Sequence, residues 1–470
     1  MDRKVNHSSI RRKKMTEIHM VLKNQQAFFN SGQTKEVSFR IKQLKLLKHA
    51  IVRNEEKILQ ALHEDLGKSP YEGYLTEVGI VREEIGYMAK KVGAWATPKR
   101  VRTPFYHFPA VSHIYPEPFG VALIISPWNY PFQLTLAPLA AAMAAGNCAV
   151  VKPSEFSPHT SQVMADLIES IFDPAYITVV PGDVDVSKAL LAEKFNYIFF
   201  TGSPGVGKSV MAAAAEHLTP VTLELGGKSP CIVEKDANIP LAARRIVSGK
   251  FINAGQTCIA PDYLMVHQSV KEQLVDRMIQ CIEKFYGTQP MNSPNYPRIV
   301  NRNHFDRLVG LTKGARIMYG GESDPERLTI APTLLDVADV SLPVMQEEIF
   351  GPVLPVLEYE DISEVITAVT NRPKPLSLYL FSENQQTVDR VLKQVSFGGG
   401  CINDTLIHLA TPYMPFGGVG GSGMGGYHGK FGFDTFSHHK SIMKQSTRVD
   451  FPFRYPTFYK YLKLLKTVLR

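Results

Sequence analysis

Two short stretches carry residue types suited to covalent chemistry. In Gly255-Gln256-Thr257-Cys258 a cysteine closes a polar, glycine-containing turn, with the run ending at Phe251 before it and Pro261 just after. Upstream, Thr222-Leu223-Glu224-Leu225-Gly226-Gly227-Lys228 sets a carboxylate between two leucines at what reads as a strand end. A thiolate becomes a strong nucleophile where backbone amides or positive charge lower its pKa. A carboxylate among apolar neighbours has a raised pKa and suits proton abstraction. Cys258 is therefore the candidate nucleophile and Glu224 the candidate water-activating base. The blander readings are an inert core thiol and a salt-bridged strand-end glutamate. Cys148 and Cys231 in apolar strand contexts, and Cys281 in a helical one, fit the inert reading better than Cys258 does.

A third stretch, Pro127-Trp128-Asn129-Tyr130-Pro131, follows an apolar strand pattern. An asparagine fixed between prolines can aim its amide at a developing oxyanion, although a rigid turn with Asn in left-handed geometry reads equally well from the segment alone. A fourth, Gly202-Ser203-Pro204-Gly205-Val206-Gly207-Lys208-Ser209, matches the phosphate-loop pattern letter for letter. It lies between a strand and a helix, as that motif demands. It lacks the partner strand ending in Asp that would hold magnesium, because Tyr197–Phe200 runs into Thr201. What remains is a helix N-terminus whose free amides face a phosphate.

The elements that must position these groups follow from periodicity. Residues 38–96 read as helical, with Ile41, Leu44, Leu47, Ile51, Ile58 and Leu62 at three-and-four spacing. Residues 100–117 hold Pro104, Pro109 and Pro116 and many aromatics, the pattern of an extended excursion or hairpin. Strands are expected at 121–125, 148–152, 176–180 and 197–200. Helices are expected at 137–145, 163–171, 186–192 and from Lys208. This alternation predicts a doubly wound parallel sheet, which binds ligands at the carboxyl ends of its strands. Gly226-Gly227 marks a domain boundary, after which helix 239–251, strand 262–267 and helix 270–285 restart the pattern. The glycine-dense stretch 398–432 must be loop-rich and allows close backbone approach.

Composition sets the limits. At 470 residues the chain is too long for one core and predicts two or three domains. The formal charge of +8 sits in the ends: residues 1–14 and 454–470 carry +5 each, and the body is slightly acidic. That argues against a broad nucleic-acid surface. Five cysteines without a CxxC pair argue against a disulfide framework or a zinc site and fit a reducing compartment. No secretory signal or spanning apolar run is expected. Met15 is a candidate alternative start, which would leave residues 1–14 as an unstructured extension. The segment from Tyr455 to Arg470 predicts a basic amphipathic helix, with Phe458, Tyr461, Leu462, Leu465, Val468 and Leu469 on one face. It would pack on its own dimer or rest on an anionic membrane.

Taken together, the segments resemble the aldehyde dehydrogenase superfamily, in detail its class 3 or fatty aldehyde branch. The carrying strings are PWNYP at 127–131, KPSE at 152–155, FTGS at 200–203, LELGGKSP at 223–230, GQTC at 255–258, EEIFGP at 347–352, and PFGGVGGSGMGGYHGKFGFDTFSHHKS at 415–441. The resemblance runs from about residue 24 to 455. It implies an α/β fold with a Rossmann-type cofactor domain, a second α/β catalytic domain and a β-hairpin oligomerisation arm. The divisions it implies are an N-terminal extension (1–23), an NAD(P)-binding domain (24–99 and 119–226), the arm (100–118 and 436–446), a catalytic domain (227–435) and a basic tail (447–470).

By the same resemblance Cys258 attacks the aldehyde carbon, and Asn129 with the Cys258 amide forms the oxyanion hole. Glu224 activates water to hydrolyse the thioester. Lys152, Glu155, Gly202, Ser203, Glu348 and Phe350 would contact NAD, with NADP left open. Glu155 would favour NAD by repelling a 2′-phosphate. Ile402, Thr405 and Phe416 would line an apolar tunnel for medium or long-chain aliphatic, aromatic or polyene aldehydes. The implied protein is a cytoplasmic homodimer with no metal, and its tail allows peripheral membrane contact.

Overall fold

The computed structural model describes residues 2–468 and builds the chain on two open sheets. The first sheet runs in the order Gly423–Met424, Val221–Glu224, Tyr197–Thr201, Val121–Ile125, Cys148–Lys152, Ile177–Val179. Every pair is parallel except the short edge strand Gly423–Met424. Val121–Ile125 and Cys148–Lys152 are buried along their whole length, the continuous apolar run expected of strands covered on both faces. The helix Gln133–Ala145 is buried all round, and its small alanines let it lie close between sheet and outer helices.

The second sheet has the order Arg316–Tyr319, Thr333–Asp336, Val353–Tyr359, Tyr263–His267, Pro230–Val233, Ser377–Phe381, Gly399–Ile402. Only Arg316–Tyr319 runs antiparallel. A third, antiparallel sheet joins Lys99–Val101, Val111–Pro118 and Ser437–Lys444, so the excursion after residue 100 pairs with a strand more than 300 residues later.

Four features differ from the sequence reading. The helix expected from Lys208 begins at Pro204, because Ser203 caps it and Pro204 fixes the first turn. The phosphate-loop lysine therefore lies exposed inside a helix, not at the end of an anion-cradling loop. The segment 423–435, drawn into the catalytic domain, packs on the first sheet: Gly423 pairs with Glu224, and Tyr427 and Phe433 join that sheet's core. A helix spans Asp2–Asn30, so the backbone of residues 2–14 is not the unstructured extension allowed for above. At the other end the helix starts at Leu462, after a 3-10 segment Pro456–Tyr461. The side chains of Phe458, Leu465 and Val468, and all of Leu469, lie outside the described residues. No helix among the described residues is long and apolar enough to cross a membrane.

Candidate active site

Glu224 ends its strand at the carboxyl edge of the first sheet. In register it lies between Thr201 on one side and Gly423 on the other. The glycine adds no side chain beside the carboxylate, and Glu224 lines an internal cavity. Both carboxylate oxygens are buried without a protein partner, and burial pushes the carboxyl well above its usual range. The Gly202 amide donates to the Glu224 carbonyl at 3.0 Å, which ties the turn after Thr201 to this strand.

Cys258 follows a turn in which Asn253, Ala254 and Gly255 take φ of 51°, 50° and 73°. Left-handed backbone at consecutive residues is costly outside glycine, so other contacts must hold it. A Cβ at Gly255 would fall 2.2 Å from the Gly351 carbonyl, so glycine is required there. The Gln256 amide bonds the Asn253 and Arg298 carbonyls, each at 3.0 Å, and its oxygen accepts from the Val300 amide. The Thr257 hydroxyl meets Tyr130 at 2.6 Å, and Tyr379 donates to the Ile259 carbonyl at 2.6 Å. Burial raises the thiol to about 12, with the charges of Glu348 and Glu224 adding to the shift; the amides of Cys258 and Ile259 pull it back. Cys258 and Glu224 line one cavity of about 790 Å³. Its walls are mostly apolar, among them Leu134, Leu225, Ile252, Leu376, Leu406 and Phe416. Thr405 lines it as expected; Ile402 does not, because it sits exposed on the last strand of the second sheet.

Asn129 is buried just behind the cysteine turn. Its amide donates to the Gln256 carbonyl at 3.0 Å, and one of its two N–H groups is used there. Its own carbonyl accepts from Lys68 at 2.9 Å and from the Asn253 amide at 2.8 Å. Lys68 is fully buried and paired with Glu77 at 2.5 Å. The second oxygen of Glu77 accepts from the amides of Phe132 and Gln133, capping the helix Gln133–Ala145. Glu72 accepts from the backbone N–H of Asn253 at 2.8 Å, and its carboxyl is raised to about 7 chiefly by burial. These acidic and basic groups were not singled out from sequence. Lys68 and Glu77 are nine residues apart, but their contacts and that of Glu72 to the helix and the turn span 55 to 181 residues of chain, which no local pattern marks. Replacing Lys68 with methionine leaves Glu77 buried without its cation. The expected cost is about 3–5 kcal/mol of stability, read from urea unfolding.

The residues expected to hold a dinucleotide gather at the carboxyl edge of the first sheet. The strand Val121–Ile125 has neighbours on both sides, so the chain diverges there and opens a crevice. Lys152 is buried and bonds Glu155 at 2.9 Å. Ser203 caps the helix Pro204–Ala215, which starts just past the carboxyl end of the strand Tyr197–Thr201. Glu348 accepts from the Gly227 amide; burial lifts its carboxyl to about 8, and Asp262 adds to the rise. Gly226 leaves room for that carboxylate: a Cβ there would lie 2.1 Å from its oxygen. Phe350 takes a φ of 52° and packs edge-on against Trp128 at 5.4 Å, while Arg307 holds the Ile349 carbonyl at 2.7 Å. The buried Thr201 hydroxyl has no protein partner. A helix N-terminus, a lysine–glutamate pair, close glycine backbone and an orphaned hydroxyl fit a phosphate-bearing dinucleotide. No group of residues suited to a metal ion occurs among the described residues.

A dinucleotide crevice facing a half-buried thiol and a buried carboxylate defines a nicotinamide-dependent oxidoreductase with a covalent acyl step. The model of the aldehyde dehydrogenase family matches residues 4–442, and the chain belongs to that family. It is 50% identical to 4,4'-diaponeurosporen-aldehyde dehydrogenase of Staphylococcus aureus over 96% of this chain and 99% of that protein. It is 45% identical to the dimeric NADP-preferring aldehyde dehydrogenase of Rattus norvegicus over 92% and 95%. The solved substrate-bound S. aureus AldH superposes with a TM-score of 0.95 at 50% identity, covering 96% of this chain and 99% of that one. The protein is thus an NAD(P)-dependent aldehyde dehydrogenase that oxidises aldehydes to carboxylic acids.

Proposed function

We propose that this enzyme acts on long lipophilic aldehydes, aliphatic or polyene, and that Cys258, Asn129 and Glu224 carry the reaction. The observation behind this reading is the apolar cavity that ends at a thiol and an orphaned carboxylate. The relative named for a diaponeurosporen aldehyde supports the polyene end of the range. Cys258 Sγ adds to the aldehyde carbon. The oxyanion is stabilised by the Cys258 amide and by the N–H of Asn129 not used on Gln256. When bound, NAD(P) supplies the two-electron acceptor. The acyl group then rests on sulfur as a thioester. Glu224 takes a proton from water, the water oxygen bonds the acyl carbon, and the C–S bond breaks to release the acid.

Lys152 and Glu155 would hold the adenine ribose, Gly202 and Ser203 the pyrophosphate, and Glu348 and Phe350 the nicotinamide end. Glu155 favours NAD, whereas the rat relative is named NADP-preferring, so both cofactors are part of the test. The test is a kcat/KM profile over aldehydes of increasing chain length with each cofactor. A rise with length supports the reading; a preference for short polar aldehydes overturns it.

The three-stranded arm presents Ile442 and Met443, both exposed in the single chain, and supports a homodimer. We further propose a cytoplasmic protein whose tail rests on anionic membrane. Tyr455, Tyr459, Tyr461 and Leu462 are exposed there, beside Lys460, Lys463 and Lys466. Deleting residues 456–470 is then expected to abolish binding to anionic liposomes at low salt. Undiminished binding would assign the contact elsewhere.

A further inference from the structure

The cavity is apolar along most of its wall, yet one corner gathers polar atoms that the protein leaves unsatisfied. Both oxygens of Glu224 and the hydroxyl of Thr201 are buried without a hydrogen-bond partner, and the buried amide nitrogen of Gln133 has none beyond Tyr427. Their residues are 3%, 8% and 3% exposed, and all three line the same cavity. Tyr427, 1% exposed, lines it too. Thr201 and Glu224 are register partners on adjacent parallel strands, so their side chains leave the sheet on the same face. The Tyr427 hydroxyl lies within hydrogen-bond reach of the Gln133 side chain and feels the charge of Glu224, which brings these groups near one another and still leaves the second N–H of the Gln133 amide free.

Buried donors and acceptors without partners are costly. An acyl chain cannot satisfy them, because it offers only C–H. A small molecule that both donates and accepts can, and water is the one the reaction consumes. A buried water is held by two to four polar partners. Here the carboxylate accepts one of its protons. The Gln133 amide donates to one lone pair, leaving the other for the acyl carbon. Gln133 is well placed to be rigid. It opens its helix, and its backbone amide is fastened to Glu77, which is itself locked to buried Lys68.

We propose that Gln133 is a positioning residue for deacylation, donating its side-chain amide to the water that Glu224 deprotonates. In that step the water oxygen bonds the acyl carbon, its proton goes to the Glu224 carboxylate, and the electron pair of the broken C–S bond goes to the departing sulfur. The inference rests on the reading of Glu224 as the base.

The test measures the breakdown of the acyl-enzyme directly, by intact mass spectrometry of quenched samples after a limiting pulse of a long-chain aldehyde with NAD. Gln133→Leu and Gln133→Met are made side by side, so that one folded variant, judged by thermal melting, suffices. In either, decay of the Cys258 adduct is expected to slow about tenfold or more, while the stopped-flow rate of NADH formation in the first turnover stays unchanged. Gln133→Asn keeps the donor and is expected to recover part of the loss, which a purely structural role would not produce. Unchanged adduct decay in the apolar variants overturns the proposal. So does a parallel fall in decay and first-turnover rate. Glu224→Gln is run beside them. If it accumulates adduct and the Gln133 variants do not, only the role of Gln133 falls. If Glu224→Gln accumulates none, the base assignment itself falls.

Discussion

Cys258→Ala is expected to leave a folded protein with no measurable aldehyde oxidation, a loss of at least about a thousandfold in kcat. The change removes one sulfur atom that faces a cavity, so packing loses little. The turn before it is held by Gln256, Asn253 and Gly255, none of which contacts the core through the thiol. Thermal stability should therefore be nearly unchanged, and this separates lost chemistry from lost fold. Cys401→Ala serves as the control. Cys401 sits on the last strand of the second sheet, 3.5 Å from His408, and does not line the cavity. Its loss should leave kcat within about twofold of the unaltered enzyme. If Cys258→Ala retains more than a per cent of activity, or if Cys401→Ala abolishes it, the nucleophile has been misassigned. The measurement is NADH formation at saturating aldehyde, with dinucleotide binding by titration as a check on the site's integrity.

How much of this was legible beforehand depended on whether the determinant was local. The strand Cys148–Lys152 and the helix Ile239–Phe251 have the bounds read from periodicity, because each is an uninterrupted run of one pattern. Cys258 and Glu224 were visible because the glycines and apolar neighbours that shape their surroundings adjoin them in sequence. The structure then brings them to one cavity from opposite sides of the Gly226-Gly227 boundary. The helix after Thr201 was misplaced by four residues, since three glycines read as loop while the serine cap and Pro204 act as a start. The return of residues 423–435 to the first sheet was invisible for another reason. It depends on Gly423 pairing with Glu224 across 199 residues and on Gly432 packing against Ala141, and glycines carry no hydrophobic pattern. Lys68, Glu77 and Gln133 were missed likewise. A buried lysine looks like a surface one until its partners are known, and here they are a carboxylate nine residues on and a carbonyl 61 residues away.

Glu224→Gln is expected to divide the reaction in two. The amide is nearly the same size and leaves the space beside Gly423 filled, so substrate entry and thiol addition continue. It cannot accept a proton, so hydrolysis of the thioester stalls. The first turnover should release about one NADH per active site, after which the steady rate falls by about a hundredfold or more. The pH dependence gives an independent check. Burial holds the Glu224 carboxyl well above the ordinary carboxylate range, so it ionises at higher pH than an exposed glutamate. Only the charged form accepts a proton, so deacylation in the unaltered enzyme should rise with pH until the group is ionised. In Glu224→Gln that rise should disappear, leaving the slower increase due to hydroxide. Removing the charge also changes the thiol, since Glu224 is one of the two carboxylates that hold Cys258 up. With a neutral amide in its place the thiol pKa should fall, and alkylation of Cys258 by iodoacetamide at pH 8 should quicken by a few fold. A burst with faster alkylation would mean that the nucleophile is intact and the base is gone. Normal acid release without a burst would mean that the water is activated by another group.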